Sequence, residues 1–100
     1  MATNAIQREQ TLFEHVSSIN EHMEELAAAG EWEQVSDLLG KRNAMLREIG
    51  DDKKAAALKA ASRSTDLIRA MAQKAQSEIA GKLAQLQRGR EATDSYRAHS

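Results

Sequence analysis

One hundred residues make a single domain, and no Pro, only 5 Gly and 29% charged residues make a chain that favours helix and breaks seldom. Lys and Arg number 14 against 15 Asp and Glu, a net charge of -1 with the signs interleaved, so no basic face for nucleic acid emerges. The lack of Cys excludes disulfides and thiolate metal sites and fits a reducing compartment. No apolar run nears the roughly 20 residues of a membrane span, and Met1 to Glu14 lacks the basic start and apolar stretch of a secretory signal.

Much of the 41% hydrophobic content is Ala. Large aliphatics and Phe supply only about a sixth of the chain, below the ~20% at which disorder becomes a concern. Near-zero net charge argues for order. The expectation is an all-α, thinly cored protein: an antiparallel hairpin plus a long third helix, forming a three-helix bundle over residues 1–87, with a short helical or mobile tail at 88–100.

The first helix is expected over about 4–29. Asn4 is its candidate N-cap, with Gln7 three residues on as in a capping box. Leu12, Val16, Ile19, Met23 and Leu26 alternate at spacings of four and three, which puts them on one stripe, and Phe13 widens it. Gly30 ends the helix, since Gly takes the left-handed C′ conformation without a Cβ clash.

The second helix is expected over about 31–49. Trp32, Val35, Leu39, Leu46 and Ile49 carry its apolar face, with Leu38 and Met45 beside them. Glu31 and Glu33 then fall in the first turn, where carboxylates complement the positive end of the helix dipole. So short a connection joins antiparallel neighbours. Gly30 and Trp32 therefore read as a structural corner, with the Trp ring covering the end of the hairpin core.

After Gly50 the third helix is expected over about 52–87, capped by Asp51 or Asp52. Its seam reads Leu58, Ala61, Thr65, Ile68, Ala72, Ala75, Ile79, Leu83 and Leu86. At 1.5 Å per residue the three helices span roughly 37, 27 and 54 Å, so the third has more apolar seam than its partners can cover. Part of it is left to solvent, to the tail or to another chain. Tyr96 is the only large apolar residue beyond Leu86, and one aromatic contact is largely opposed by the entropy of ordering its segment. The tail is expected to be mostly open, or ordered only by a neighbouring molecule.

Several residues allow two readings. Arg42 interrupts the stripe between Leu39 and Leu46: it either snorkels its head into water or makes a charged specificity contact with a partner. Leu67 and Met71 form a second i, i+4 stripe on the third helix, either the edge of a broad core face or a partner groove, for which Met is well suited. His15 and His22 stand seven apart, not at the i, i+4 spacing of a metal pair, and read as flank residues; no metal or cofactor is expected. Glu24, Glu25, Glu31 and Glu33 have no nucleophile or phosphate loop near them, so they read as a solvated face and helix-end charge, and no enzymatic activity is expected.

With these elements in place, the chain resembles the small flagellar export chaperones of the FliT type. The resemblance rests on "GEWEQVSDLLGKRNAMLREI" with its Gly30, Glu31, Trp32 corner, on the Leu-x-x-Arg pattern at Leu39 and Arg42, and on Gly89, Ala92 and Tyr96 in "LAQLQRGREATDSYR". It implies a cytoplasmic, non-enzymatic helical protein that binds the filament-cap protein of the flagellum, prevents its premature assembly and passes it to the type III export machinery. It also implies contacts of some members with the export ATPase or the master flagellar transcription activator. A C-terminal segment that folds over the docking surface belongs to the same picture, with Tyr96 as the one plug in this polar tail.

The partner-binding residues expected are Arg42, Leu67, Ile68, Met71, Ala75, Ile79, Leu83 and Leu86, a surface for the cap protein's C-terminal amphipathic helix. The alternative is a regulatory or structural bundle that sequesters the transcription activator or pairs with its own copy as a homodimer. The Ala-rich seam is poor material for a stable zipper.

Overall fold

A computed structural model describes the backbone of residues 2–98 and the side chains of residues 7–91. The chain forms three helices and, among the described residues, no strand: α1 Ala2–Ala28, α2 Trp32–Glu48 and α3 Asp51–Ala98. α1 lies against both α2 and α3, whereas α2 and α3 approach each other far less closely. The molecule measures 85 × 18 × 16 Å, a rod set by the length of α3.

The first corner follows from Gly30, whose φ of 77° is the left-handed conformation that a Cβ disfavours. Gly30 N–H donates to the Ala27 carbonyl (3.0 Å) and Glu31 N–H to the Leu26 carbonyl (2.9 Å). This is a Schellman close, which satisfies carbonyls that the end of α1 would leave orphaned. α2 starts one residue later than expected, at Trp32, and Glu31 sits at the N-cap without a side-chain cap bond.

At the second corner the expected cap is corrected. α2 ends at Glu48, Ile49 is extended, and the Gly50 carbonyl accepts from Lys53 (3.2 Å) and Lys54 (3.1 Å). Gly50 thus holds the N-cap position, while Asp51 and Asp52 occupy the first turn of α3 and complement its dipole. α1 likewise begins at Ala2, ahead of Asn4. The side chain of Asn4, and with it the capping bond expected there, lies outside the described residues.

α3 is longer than its seam suggested. It passes through Gly81, Gln87 and Gly89 without interruption to Ala98, because a Gly inside a helix costs only ~1 kcal/mol against Ala and no Pro follows to force a stop. The tail expected from Arg88 onward is, up to Ala98, more of the same helix. The side chain of Tyr96 and all of His99 lie outside the described residues.

The interior is layered along the rod. The lowest layer joins Val16, Leu46, Ile49, Ala57 and Ala61, with Leu12, Phe13 and Met45 packed on its edge. Lys53 places its ammonium 5.4 Å from the centre of the Phe13 ring, a cation–π contact that closes this end. Higher up, Met23, Ala27 and Val35 are buried.

The seam of α3 is shifted by one residue at its start. Ala57, not Leu58, is buried, and Leu58 is exposed. A residue without side-chain bulk lets the helix axes close in, so the closest contact falls on Ala57 and Ala61 while the larger Leu58 turns outward.

Between the apolar layers lies a polar one that sequence reasoning missed. Asn20, Arg42 and Ser64 are all buried, Arg42 with 4% of its surface exposed. Arg42 Nη1 donates to Asn20 Oδ1 (3.2 Å) and to the Ala61 carbonyl (3.3 Å). Nη2 donates to Thr65 Oγ1 (2.9 Å) and Asn43 Oδ1 (3.3 Å). Ser64 Oγ donates to the Asn20 carbonyl at 3.5 Å. One guanidinium therefore ties α2 to both other helices, across the pair of elements that otherwise meet least.

Candidate functional site

The hairpin ends where α3 does not. α1 stops at Ala28 and α2 begins at Trp32, so the corner closes alongside Met71 and Ala75 of α3. Beyond it the core-facing row of α3 continues with no other described element packed on it. Ile68, Ala72 and Ala75 are half-buried, but Ile79 is 58%, Leu83 60% and Leu86 70% exposed. The spacings of four, four and three from Ala75 keep them on the side that lower down faces α1. The result is an unpaired apolar ridge projecting from a closed bundle.

At its root the ridge meets a cleft of about 400 Å³ under the first corner, lined by Gly30, Trp32, Met71, Lys74, Ala75 and Glu78 among others. Trp32 forms one wall and is half-buried. Its ring stands at the corner, where it was expected to cover the end of the hairpin core, and also gives surface to the open cleft. Trp32→Ala should therefore cost about 1.5 kcal/mol, half or less of the value for a fully buried Trp, as read by urea unfolding. A loss above 3 kcal/mol would place the ring in the core after all.

Two shallow hollows flank the outer ridge. One is lined by Leu83, Leu86, Gln87, Arg90 and Glu91, the other by Lys82, Gln85, Leu86, Gly89 and Arg90. Leu86 thus has a cation one turn below it and another one turn above.

A model of the family described as flagellar protein FliT matches residues 10–98 of the chain. The chain belongs to the FliT family of flagellar proteins. It matches no curated protein and no solved structure. The family match spans most of all three helices, so the ridge and the cleft both lie within the FliT-like region.

The residues expected to bind a partner divide into three groups within this FliT-family fold. Met71 and Ala75 line the cleft, and Ile79, Leu83 and Leu86 form the ridge, so five of the eight fall on one continuous surface. Ile68 is half-buried beneath the corner, and Leu67 is exposed on a different side of α3 from the ridge. Arg42 is the third group and needs correction: it neither snorkels nor reaches a docking surface, because its head is spent on acceptors of all three helices. Burial also holds its pKa below the ordinary guanidinium value.

Among the described residues no group of three or more His, Asp or Glu is placed to hold a metal ion, and both His15 and His22 are exposed. No helix there is long and apolar enough to cross a membrane. The one ion pair described, Arg69 with Asp66 at 3.7 Å, is exposed and local to α3, and such pairs contribute little.

Proposed function

We propose that this FliT-family protein is a flagellar type III export chaperone, which holds the C-terminal amphipathic helix of the filament-cap protein along the ridge of α3. The observation that carries the reading is the exposure of Ile79, Leu83 and Leu86 on the face that lower down builds the bundle core. A third helix usually finds its partners within the chain; here the hairpin closes beside Ala75 while α3 runs on to Ala98, about six turns further. An amphipathic helix laid on that face would complete locally the packing that α1 and α2 provide below.

The mechanism is masking. An assembly helix that is apolar on one side polymerises when that side is free, and a chaperone that buries it keeps the subunit soluble in the cytoplasm until the export machinery takes it. Full burial of a large aliphatic side chain is worth about 1.5–3 kcal/mol, so a few such residues suffice for a complex that must later be released. Contacts with the export ATPase or with a flagellar transcription activator would draw on the same surface and compete with cargo.

The test is a titration of the full chain with a C-terminal fragment of the filament-cap protein. Leu83→Ser combined with Leu86→Ser should weaken binding at least tenfold, about 1.4 kcal/mol, while circular dichroism and the melting temperature stay as in the parent, because neither residue touches the bundle. Unchanged affinity would remove the ridge from the docking surface. Light scattering on the free chain distinguishes a second copy as occupant, since a homodimer built on the ridge would dissociate in the same double variant.

A further inference from the structure

The reading of the ridge as a docking surface leaves the chemistry of its occupant open, and the charges beside it narrow that choice. Lys82 and Arg90 lie four residues to either side of Leu86 and line the same hollow with it. Neither has an ion-pair partner among the described residues. Of the nearby carboxylates, Glu78 lines the cleft with Trp32 and Lys74, and Glu91 shares the hollow on the other flank with Arg90, Leu83 and Leu86. The root of the ridge is thus balanced in charge, while the hollows of its outer half set two cations, one turn to either side of its most exposed leucine, against a single carboxylate.

We propose that this outer half selects an amphipathic helix whose apolar row is edged by carboxylates, with Lys82 and Arg90 acting as paired clamps around the contact at Leu86. The proposal rests on the ridge being the docking surface. A helix seated on Ile79, Leu83 and Leu86 displaces water from the foot of both cations, which strengthens their attraction to carboxylates on its edge. A helix edged by Lys or Arg would bring like charges together in the same drying contact and be rejected. Over the residues whose side chains are described, Ala75 to Glu91, the exposed face runs about 24 Å, so a helix of roughly 16 residues fits against it, and the corner at Gly30 and Trp32 is a stop at one end.

Two synthetic sixteen-residue amphipathic peptides test this, sharing one Leu row and differing only in edges of Glu or of Lys. Their affinities for the full chain are read by anisotropy of a dye on the peptide, at low and at raised salt. The Glu-edged peptide should bind at least tenfold more tightly than the Lys-edged one, and raised salt should shrink the difference. In a Lys82→Glu, Arg90→Glu double variant the preference should reverse. Both side chains are exposed, so the fold is unaffected, and circular dichroism verifies it.

Equal binding of the two peptides, binding of neither, or an unchanged preference in the double variant would overturn the proposal. Each of these leaves the docking reading standing as long as Leu83→Ser with Leu86→Ser still weakens the cap-protein fragment. If that pair of changes has no effect on the fragment, the docking reading itself fails.

Discussion

Replacing Arg42 by Ala is expected to destabilise the protein by about 3 kcal/mol, whereas Arg42→Met should stay within about 1 kcal/mol of the parent. The contrast follows from what the guanidinium does and what it costs. It gives hydrogen bonds to Asn20, Ala61, Asn43 and Thr65, and bonds of a charged donor to buried acceptors are worth about 1.5–3 kcal/mol each when only one partner is removed. Against this, among the described residues the charge is buried with no ion-pair partner, and its Nε–H has no acceptor. Truncation to Ala loses the bonds, strands the Asn20 and Thr65 oxygens and opens a void. Met refills the void and also removes the buried charge, a trade that is often neutral.

Burial lowers the Arg42 pKa, and a base with a depressed folded pKa makes the folded state more stable only as pH climbs toward that value. A guanidinium remains protonated throughout the working range. The cost is therefore constant from pH 5 to 9, and the two variants should differ by the same amount across it. Urea unfolding at both ends of that range measures this. A loss under 1 kcal/mol for Arg42→Ala would show that the three-helix clamp does not form in solution.

The history of Arg42 shows where the sequence was legible. The stripes of α1 and α2, the Gly30 corner and the excess length of α3 follow from spacing alone, because period and breaker are local properties. What spacing hides is which polar residue goes inside. Asn20 lies four after Val16 and three before Met23, on the buried row of α1, and Arg42 lies seven after Val35 and four before Leu46, on that of α2. Two polar residues at matching heights on facing rows signal a buried pair. Each taken by itself reads as a flank residue or a snorkel, and the acceptors on α3 were not visible until α3 was placed.

The same limit explains the start of the α3 seam. A reading that weights side chains by size chooses Leu58, but the contact is set by how close the axes come, and Ala57 and Ala61 allow the nearer approach. The ridge was legible for the opposite reason. A long apolar row with too little chain to cover it is a matter of counting residues, and Ile79, Leu83 and Leu86 were accordingly placed on a surface awaiting a partner. The charges astride Leu86 only gained meaning once it was clear that nothing in the hairpin reaches them.

The second large effect is expected at Met23, which is 0% exposed and, with Val16, one of the two largest fully buried side chains described. Met23→Ala should cost about 3 kcal/mol, within the range for removing a buried long aliphatic side chain. For a domain of this size that lowers the melting temperature by roughly 10–20 °C. The loss is severe because the core is thin: three of the eight buried hydrophobic residues described are Ala, so little neighbouring bulk can move in to fill the space. Its effect on docking has a distinctive form. A free helix of about 20 residues with two internal Gly is at best marginal in water, so the stretch of α3 beyond Ala75 stays helical largely by continuing the part that the hairpin holds. The ridge therefore depends on Met23 without touching it. Well below the lowered melting temperature, Met23→Ala should bind the cap-protein fragment as the parent does, and near that temperature binding and helicity should fall together. Leu83→Ser with Leu86→Ser should do the reverse, weakening binding at every temperature and leaving the melt in place. If Met23→Ala weakened binding at low temperature as well, the docking surface would have to extend down into the hairpin.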